Sequence, residues 1–247
     1  MRVAARAKTS SDLFWRKFGR RGSTALPWRP FRRSEIGLRW LAVLLALAAS
    51  ALTAIHLIAP RLEVNDNTLN LAKKFLVQPK ERADFETLAA QPIWQGTKLK
   101  TLLEHVELAG YNRELINWKL DDTIYQDFVL SPVIKLSTFN SQLSTALKWR
   151  RLLWEEFYPR IRHESSPEDA AKIVVRHLRE RVTIASQPNP SRDVPEIFLK
   201  QITDETGFEI ICVASLRSVG VPARLDSQAS AELFDGSKWL AATTSPQ

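Results

Sequence analysis

TGFEIICVASLRSVGVPARLDSQASAELFDGSKW, residues 206–239, decides how the rest of the chain is read. Thr206 followed three residues later by Glu209 has the pattern of a capping box, in which a hydroxyl and a carboxylate satisfy the free N–H groups of a helix start. Phe208, Ile211, Cys212, Leu216 and Val219 recur at helical intervals, so this helix buries most of its surface, and Gly220 supplies its stop. VPARLD leads into an extended segment, and AELFDGSKWLAA reads as a hairpin with Asp235-Gly236 in its turn. Helix, short turn, strand and hairpin predict an α+β fold.

Around this stretch lies a chain of 247 residues, long enough for one mid-sized domain with extensions. A pI near 9.8 and a net charge of +8 suggest a nucleic-acid partner, so the location of the charge matters. Residues 1–39 hold 11 Lys/Arg against 2 Asp/Glu; from totals of 35 and 27 that leaves 24 against 25 in residues 40–247. The basic character belongs to a tail, whereas a nucleic-acid groove needs its positive charge on the folded domain. No nucleic-acid partner is expected. The single cysteine, Cys212, excludes an intramolecular disulfide and a multi-cysteine zinc site. Neither a metal nor another cofactor is expected.

The tail stretches FWRKFGRRGS and LPWRPFRRSE mix Arg with Trp and Phe, a composition that suits an anionic lipid surface. WLAVLLALAASALTAIHLIA, residues 40–59, then contains no Asp, Glu, Lys or Arg. At about 1.5 Å per residue it spans roughly 30 Å, the thickness of a bilayer's hydrocarbon. Pro60 ends it, Arg39 and Trp40 sit as interfacial anchors, and His56 lies near its outer end. The Lys/Arg excess before this segment places the N-terminus in the cytoplasm and residues 61–247 outside. The expectation is a single-pass signal anchor in the plasma (inner) membrane. A signal peptide cleaved near Ala48–Ala51 is the alternative, but the long tail before the apolar run and IHLIA beyond the cleavage site favour the anchor. A buried core helix suits 20 residues apolar all round less well than lipid does.

Residues 60–110 read as a helical linker region, mostly solvated. ERADFETLAAQPIW and TKLKTLLEHVELAG space Leu and Val three and four apart, Gly110 is the expected stop, and His105 beside Glu104 reads as a surface residue. DFVLSPVIKL is expected to be extended and interrupted at Pro132. Two helices follow. QLSTALKWRRLLWEEFYPRI ends at Pro159; SSPEDAAKIVVRHLRERVTI has Ser166 as N-cap, Pro167 at the first helical position, and a stripe of Ala171, Val174, Val175, Leu178 and Val182. His163 and His177, fourteen residues apart and without an HExxH-like pair, make no metal motif. SQPNPSRDVP, 186–195, is a loop.

LRSVGVPARL, residues 216–225, resembles the Leu-Arg-x-x-Gly-Ile/Val-Pro-Ala-Arg signature of transglutaminase-like (papain-type) domains, and AELFDGSKW matches the hairpin that follows it. Upstream, AGYNREL, DFVLSPV and WRRLLWEEFYPRI are similar to the lead-in of bacterial extracytoplasmic members. The resemblance covers about residues 100–247 and is strongest over 205–242. Together with the segments read above, it divides the chain into a basic cytoplasmic tail (1–39), a transmembrane helix (40–59), a helical linker (60–110) and a transglutaminase-like domain (111–247). Relatives in the family usually continue beyond the hairpin, where this chain ends at TTSPQ.

In that family a Cys thiolate at the start of the helix attacks a carboxamide or peptide carbonyl. The helix dipole and a His activate it, and an Asp orients the His. By the family's spacing, the Cys position lies nineteen residues before Arg224 and falls on Glu205. The His position, four before Glu232, falls on Gln228, and the Asp position, four after Trp239, falls on Thr243. None carries the required side chain. Cys212 lies seven residues past the expected place, about 10 Å along the helix. All four histidines precede it, the reverse of the family's order.

The expectation is therefore a degenerate triad with no catalytic residue assigned. Glu205, Glu209, Asp226 and Glu232 are the candidates to line the former cleft, either as an acid–base or metal-binding set or as a solvated helix start and hairpin face. Arg217 and Arg224 are expected to pair with such carboxylates, and Trp239 to sit in the core. The function implied is a membrane-anchored, non-catalytic protein that binds a peptide, a protein or a cell-envelope ligand. An amide-bond hydrolase or transglutaminase with a rearranged site, and an envelope tether working through its lipid-binding tail, are the alternatives.

Overall fold

A computed structural model of the chain describes residues 62–243, apart from 75, 77, 136–141, 144–146 and 187. In chain order the helices are α1 (Asp66–Lys73), α2 (Pro79–Ala89), α3 (Leu99–Leu115), α4 (Asp122–Tyr125), α5 (Trp149–Ile161), α6 (Pro167–Arg181), α7 (Val194–Lys200) and α8 (Glu205–Ser218). The strands are β1 (Ile134–Lys135), β2 (Gln142–Leu143), β3 (Thr183–Ile184), β4 (Ile202–Thr203), β5 (Ala223–Leu225), β6 (Ala231–Phe234) and β7 (Trp239–Ala241). This is an α+β chain. Among the described residues no helix is long and apolar enough to cross a membrane. The tail 1–39 and the apolar segment 40–59, with the transmembrane helix expected there, lie outside the described residues.

Helix α8 is the centre of the larger core. From Ile210 to Ser218 every residue is buried, and a helix apolar on all sides needs neighbours on all sides. Helices α5, α6 and α7 supply some, and the sheet β5-β6-β7 supplies the rest. In that antiparallel sheet Ala223 pairs with Leu233, and Leu225 with Ala231; these four are buried toward α8 while Arg224, Glu232 and Phe234 alternate outward. The hairpin turn forms as expected, with Gly236 at φ 107° and Asp235 Oδ1 accepting from the N–H groups of Ser237 and Lys238. Gly220 also stops α8 as expected, at φ 85°. The cap differs. Asp204, not Thr206, is the N-cap, its Oδ1 accepting from Gly207 N–H at 2.8 Å. Both residue types can cap, and Arg192 holds the Asp204 carboxylate in place through both its oxygens.

The described residues of the 60–110 region are largely helical, yet they are not mostly solvated. Phe85, Leu88, Trp94, Leu102, Val106 and Ala109 form a second apolar cluster, completed by Tyr125, Val129, Leu130 and Leu147 from beyond residue 110. Helix α3 runs through Gly110 to Leu115. That glycine meets nothing within 4 Å; glycine there costs the helix only about 1 kcal/mol, too little to end it. A boundary at 110 therefore falls inside α3.

The stretch DFVLSPVIKL also departs from the extended reading. Helix α4 passes into a π-helical turn, Gln126–Leu130, and only Ile134–Lys135 is strand, pairing antiparallel with Gln142–Leu143. The following helix starts at Trp149 rather than near Gln142, and Pro159 lies within it. Residues 183–184, read as the end of α6, instead form β3, parallel to β4.

What fixes the 129–133 segment is a set of buried cations. Arg150 donates from Nη2 to Val129 O and, at 3.3 Å, to Leu130 O, and from Nη1 to Arg217 O at 2.9 Å. Arg217 donates to Ser131 O (3.0 Å), Val133 O (2.9 Å) and Ala223 O (2.8 Å). Arg217 thus ends on backbone carbonyls, not on the carboxylates expected for it. Burial pulls Arg150 down to about 9 and Arg217 to about 10, so both remain cations at neutral pH.

His105, expected at the surface, is 1% exposed between the edges of Trp94 and Trp149. Burial, and then the Arg150 charge, hold its imidazole well below the ordinary 6.5, so the ring is neutral. Leu130 O at 3.1 Å can only accept, which puts the proton on Nε2, and among the described residues Nδ1 finds no partner. As pH falls through about 6.5 the unfolded chain takes up a proton here and the folded chain does not. The stability this group confers is complete above that pH and declines below it by about 1.4 kcal/mol per pH unit until the folded pKa is reached. Denaturation midpoints measured across this range should fall on acidification, and His105→Phe should remove that part of the slope.

Candidate functional site

The parallel pair β3–β4 ends beside the start of α8, and the β5–β6 loop and the end of β7 close over the same place. Between them lies an open cleft of about 410 Å³ lined by Glu205, Glu209, Gln228 and Thr243, with Arg179 and Ile184 on its walls. The three positions matched to the family's triad therefore line one cleft, although they come from a helix start, a loop and the end of a hairpin. No local pattern brings them together.

Each is placed by ordinary local chemistry. Glu205 sits exposed in the first turn of α8, where the helix dipole favours an anion. Gln228 rides on a turn organised by Asp226, whose Oδ1 accepts from Gln228 N–H and Ser230 N–H, both at 2.8 Å; Ala229 takes a left-handed φ of 65°. Thr243 follows β7, and Arg179 of α6 donates to its carbonyl. Glu209, one turn into α8, is half-buried. Its Oε2 accepts from Ala231 N–H at 2.8 Å, with Thr243 beside it on the cleft wall. Burial raises its carboxyl above the usual range, while the Ala231 hydrogen bond, Thr243 and Arg179 pull the other way.

The other expected cleft carboxylates go elsewhere. Asp226 shapes the loop rather than lining the cleft. Glu232 faces away and takes Arg224 Nε at 2.8 Å, as the charge pattern predicts for Arg224. The Arg224 guanidinium lies 4.0 Å over the Trp239 ring, and Phe128 meets that ring edge-on at 4.7 Å. Trp239 is thus half-buried in an outer cluster rather than in the core.

Cys212 is fully buried, and burial, then the neighbouring Glu209, push its thiol far up. Of the described histidines none lines the cleft: His105 is buried between Trp94 and Trp149, His163 is exposed beside Arg162, and His177 bonds Glu156 at 2.9 Å. His56 lies outside the described residues. Among the described residues no group of three or more metal-ligating side chains assembles. The cleft offers two carboxylates, a carboxamide, a guanidinium and the hydroxyl residues Thr206, Ser230 and Thr243, a set that can hold polar and cationic groups by hydrogen bonding. It offers no thiolate and no imidazole. Sequence reasoning missed Arg179 and Ile184: Ile184 reaches the wall through the β3–β4 pairing and Arg179 through α6 and its bond to Thr243 O, and neither contact has a local pattern. No protein-family model, curated protein or solved structure matches the chain.

Proposed function

We propose that the chain is a single-pass membrane protein whose outer part is a transglutaminase-like domain that binds a peptide, a protein or a cell-envelope ligand without turning it over. One observation carries this reading: Glu205, Gln228 and Thr243, placed on the triad by spacing alone, line the same cleft with side chains that cannot do the triad's chemistry. A nucleophile needs a thiolate beside a base, and Cys212 is buried with its thiol proton firmly held. The charge-free run 40–59 and the basic tail before it support the anchor, with anionic lipid as the tail's partner.

A second reading, an amide hydrolase or transferase with a rearranged site, is favoured by Glu209, whose raised carboxyl beside Arg179 and Thr243 has the form of a general acid–base group. The two are separated with the full-length chain, an N-blocked Gln-Gly dipeptide as amide donor and a fluorescent primary amine as acceptor. The binding reading expects no amine incorporation and no hydrolysis above the blank. It also expects peptides selected from a display library to bind wild type at least about tenfold more tightly than Glu205→Arg or Gln228→Ala. Turnover abolished by Glu209→Gln or Cys212→Ser would overturn it, as would selected peptides indifferent to the cleft substitutions.

A further inference from the structure

We propose that a second groove, between α2 and the C-terminal half of α3 and closed by residues 116–120, is a saccharide-binding site. It encloses about 640 Å³, within the range of roughly 300–1,000 Å³ typical of small-ligand sites. The case begins with Tyr111. Its side chain is 44% exposed at the groove, yet the ring is not free to wander. Trp154 and Tyr158 stack on each other at 4.8 Å, and both meet Tyr111 edge-on, at 5.7 and 5.8 Å. Trp154 is itself tied down by donating from Nε1 to Asn112 Oδ1 at 2.9 Å. Three aromatics braced in this way present a rigid ring at the surface, which the core does not require.

The rest of the groove supplies what a sugar's other side needs. A pyranose has an apolar face of C–H bonds and a rim of hydroxyls; the face packs on an aromatic ring, and the rim needs well-placed acceptors and donors. Asp84 lies at the wall, only 3% exposed, fixed by the Tyr125 hydroxyl donating to Oδ2 at 2.9 Å. Glu114 and Gln78 line the groove with it, and Trp118 stands at the far end, its Nε1 bonded to Gly220 O at 3.3 Å. Charge narrows the ligand class. The groove is lined by three cations and four carboxylates, a near balance that selects neither a polyanion nor a polycation. Aromatic rings beside basic residues also suit a lipid interface, but four carboxylates repel anionic headgroups. The site is separate from the cleft at the start of α8 and does not depend on how that cleft is read.

The test uses the full-length chain in a detergent without a sugar headgroup, titrated by calorimetry with the tetrasaccharides of the chito, cello and malto series. At least one should bind in the micromolar to millimolar range. Tyr111→Ala should weaken it by about tenfold or more, Glu114→Gln should weaken it less, and Lys172→Ala on an exposed face of α6 should leave it unchanged. Tyr111→Ala also removes the edge contacts to Trp154 and Tyr158, so its thermal midpoint is measured alongside to show that the variant is folded, and Tyr111→Phe, which keeps the ring, should retain binding. Failure of all three sugars to bind, or binding indifferent to Tyr111→Ala, would overturn the proposal. So would phosphatidylglycerol-vesicle binding that depends on Tyr111 in the absence of sugar binding.

Discussion

Arg150→Met lowers the stability of the folded chain by about 3–5 kcal/mol. Methionine can occupy the space of the arginine stem but donates nothing, so Val129 O loses its donor, while Leu130 O and Arg217 O each lose a charged donor, worth about 1.5–3 kcal/mol, and keep His105 Nε2 and Gly220 N–H respectively. A buried acceptor left unsatisfied costs about 1–3 kcal/mol; relief from burying a cation offsets part of the sum. Lysine does not rescue, because one ammonium cannot span three carbonyls as a planar fork does. Thermal unfolding followed by tryptophan fluorescence should show the midpoint falling by about 10 °C. Arg224→Met is the comparison. It removes an ion pair whose side chains are 38% and 22% exposed, contributing about 1 kcal/mol or less, and the contact over the Trp239 ring, about 0.5–1 kcal/mol at an exposed site. If the two substitutions cost the same, the buried cations do not hold the 129–133 segment.

Gly220→Ala is the second large effect, about 2–4 kcal/mol. Two separate costs meet at this residue. Its φ of 85° is strained for any residue with a Cβ. The new Cβ would also lie 3.0 Å from Asn112 Cβ and 3.2 Å from Ile116 Cγ2. Asn112 cannot step aside cheaply, since its Nδ2 donates to Ser218 O at 2.6 Å and its Oδ1 accepts from Trp154. Gly236→Ala separates the two costs: φ is 107°, but nothing lies within 4 Å. It should lose only the backbone part, about 1–2 kcal/mol, and urea denaturation of both variants measures the difference. Equal losses would mean that the Asn112 contact yields freely.

Both effects fall within or beside the stretch that resembles the transglutaminase-like signature, and they give two of its residues a structural reason. Gly220 is required by a turn against α3. Arg217 is required as a clamp, joining the carbonyls of Ser131 and Val133 to that of Ala223. Neither role needs a substrate. A chain can therefore keep such a pattern for its fold after the chemistry at the helix start has gone, which is the state proposed here.

The sequence by itself determined what local forces control. The span of α8 to within a residue or two, the left-handed stop at Gly220, the Asp235-Gly236 turn and the Ser166 cap of α6 all follow from side-chain period, a positive φ, or an oxygen beside a free N–H. These causes act over four residues or fewer. Tertiary structure decided the rest. Thr206 and Asp204 can both cap, and the Arg192 ion pair to Asp204 marks the one that does. DFVLSPV is helical at its start because Arg150 and Arg217 claim its carbonyls from 20 to 86 residues away. His105 is buried because Trp94 and Trp149, on separate elements, close around it. Glu205, Gln228 and Thr243 share a cleft only once β7 has paired with β6 and the β5–β6 loop has folded over the start of α8. A hydrogen bond that spans eighty residues leaves no period in the sequence between them, so the helix was legible and the company it keeps was not.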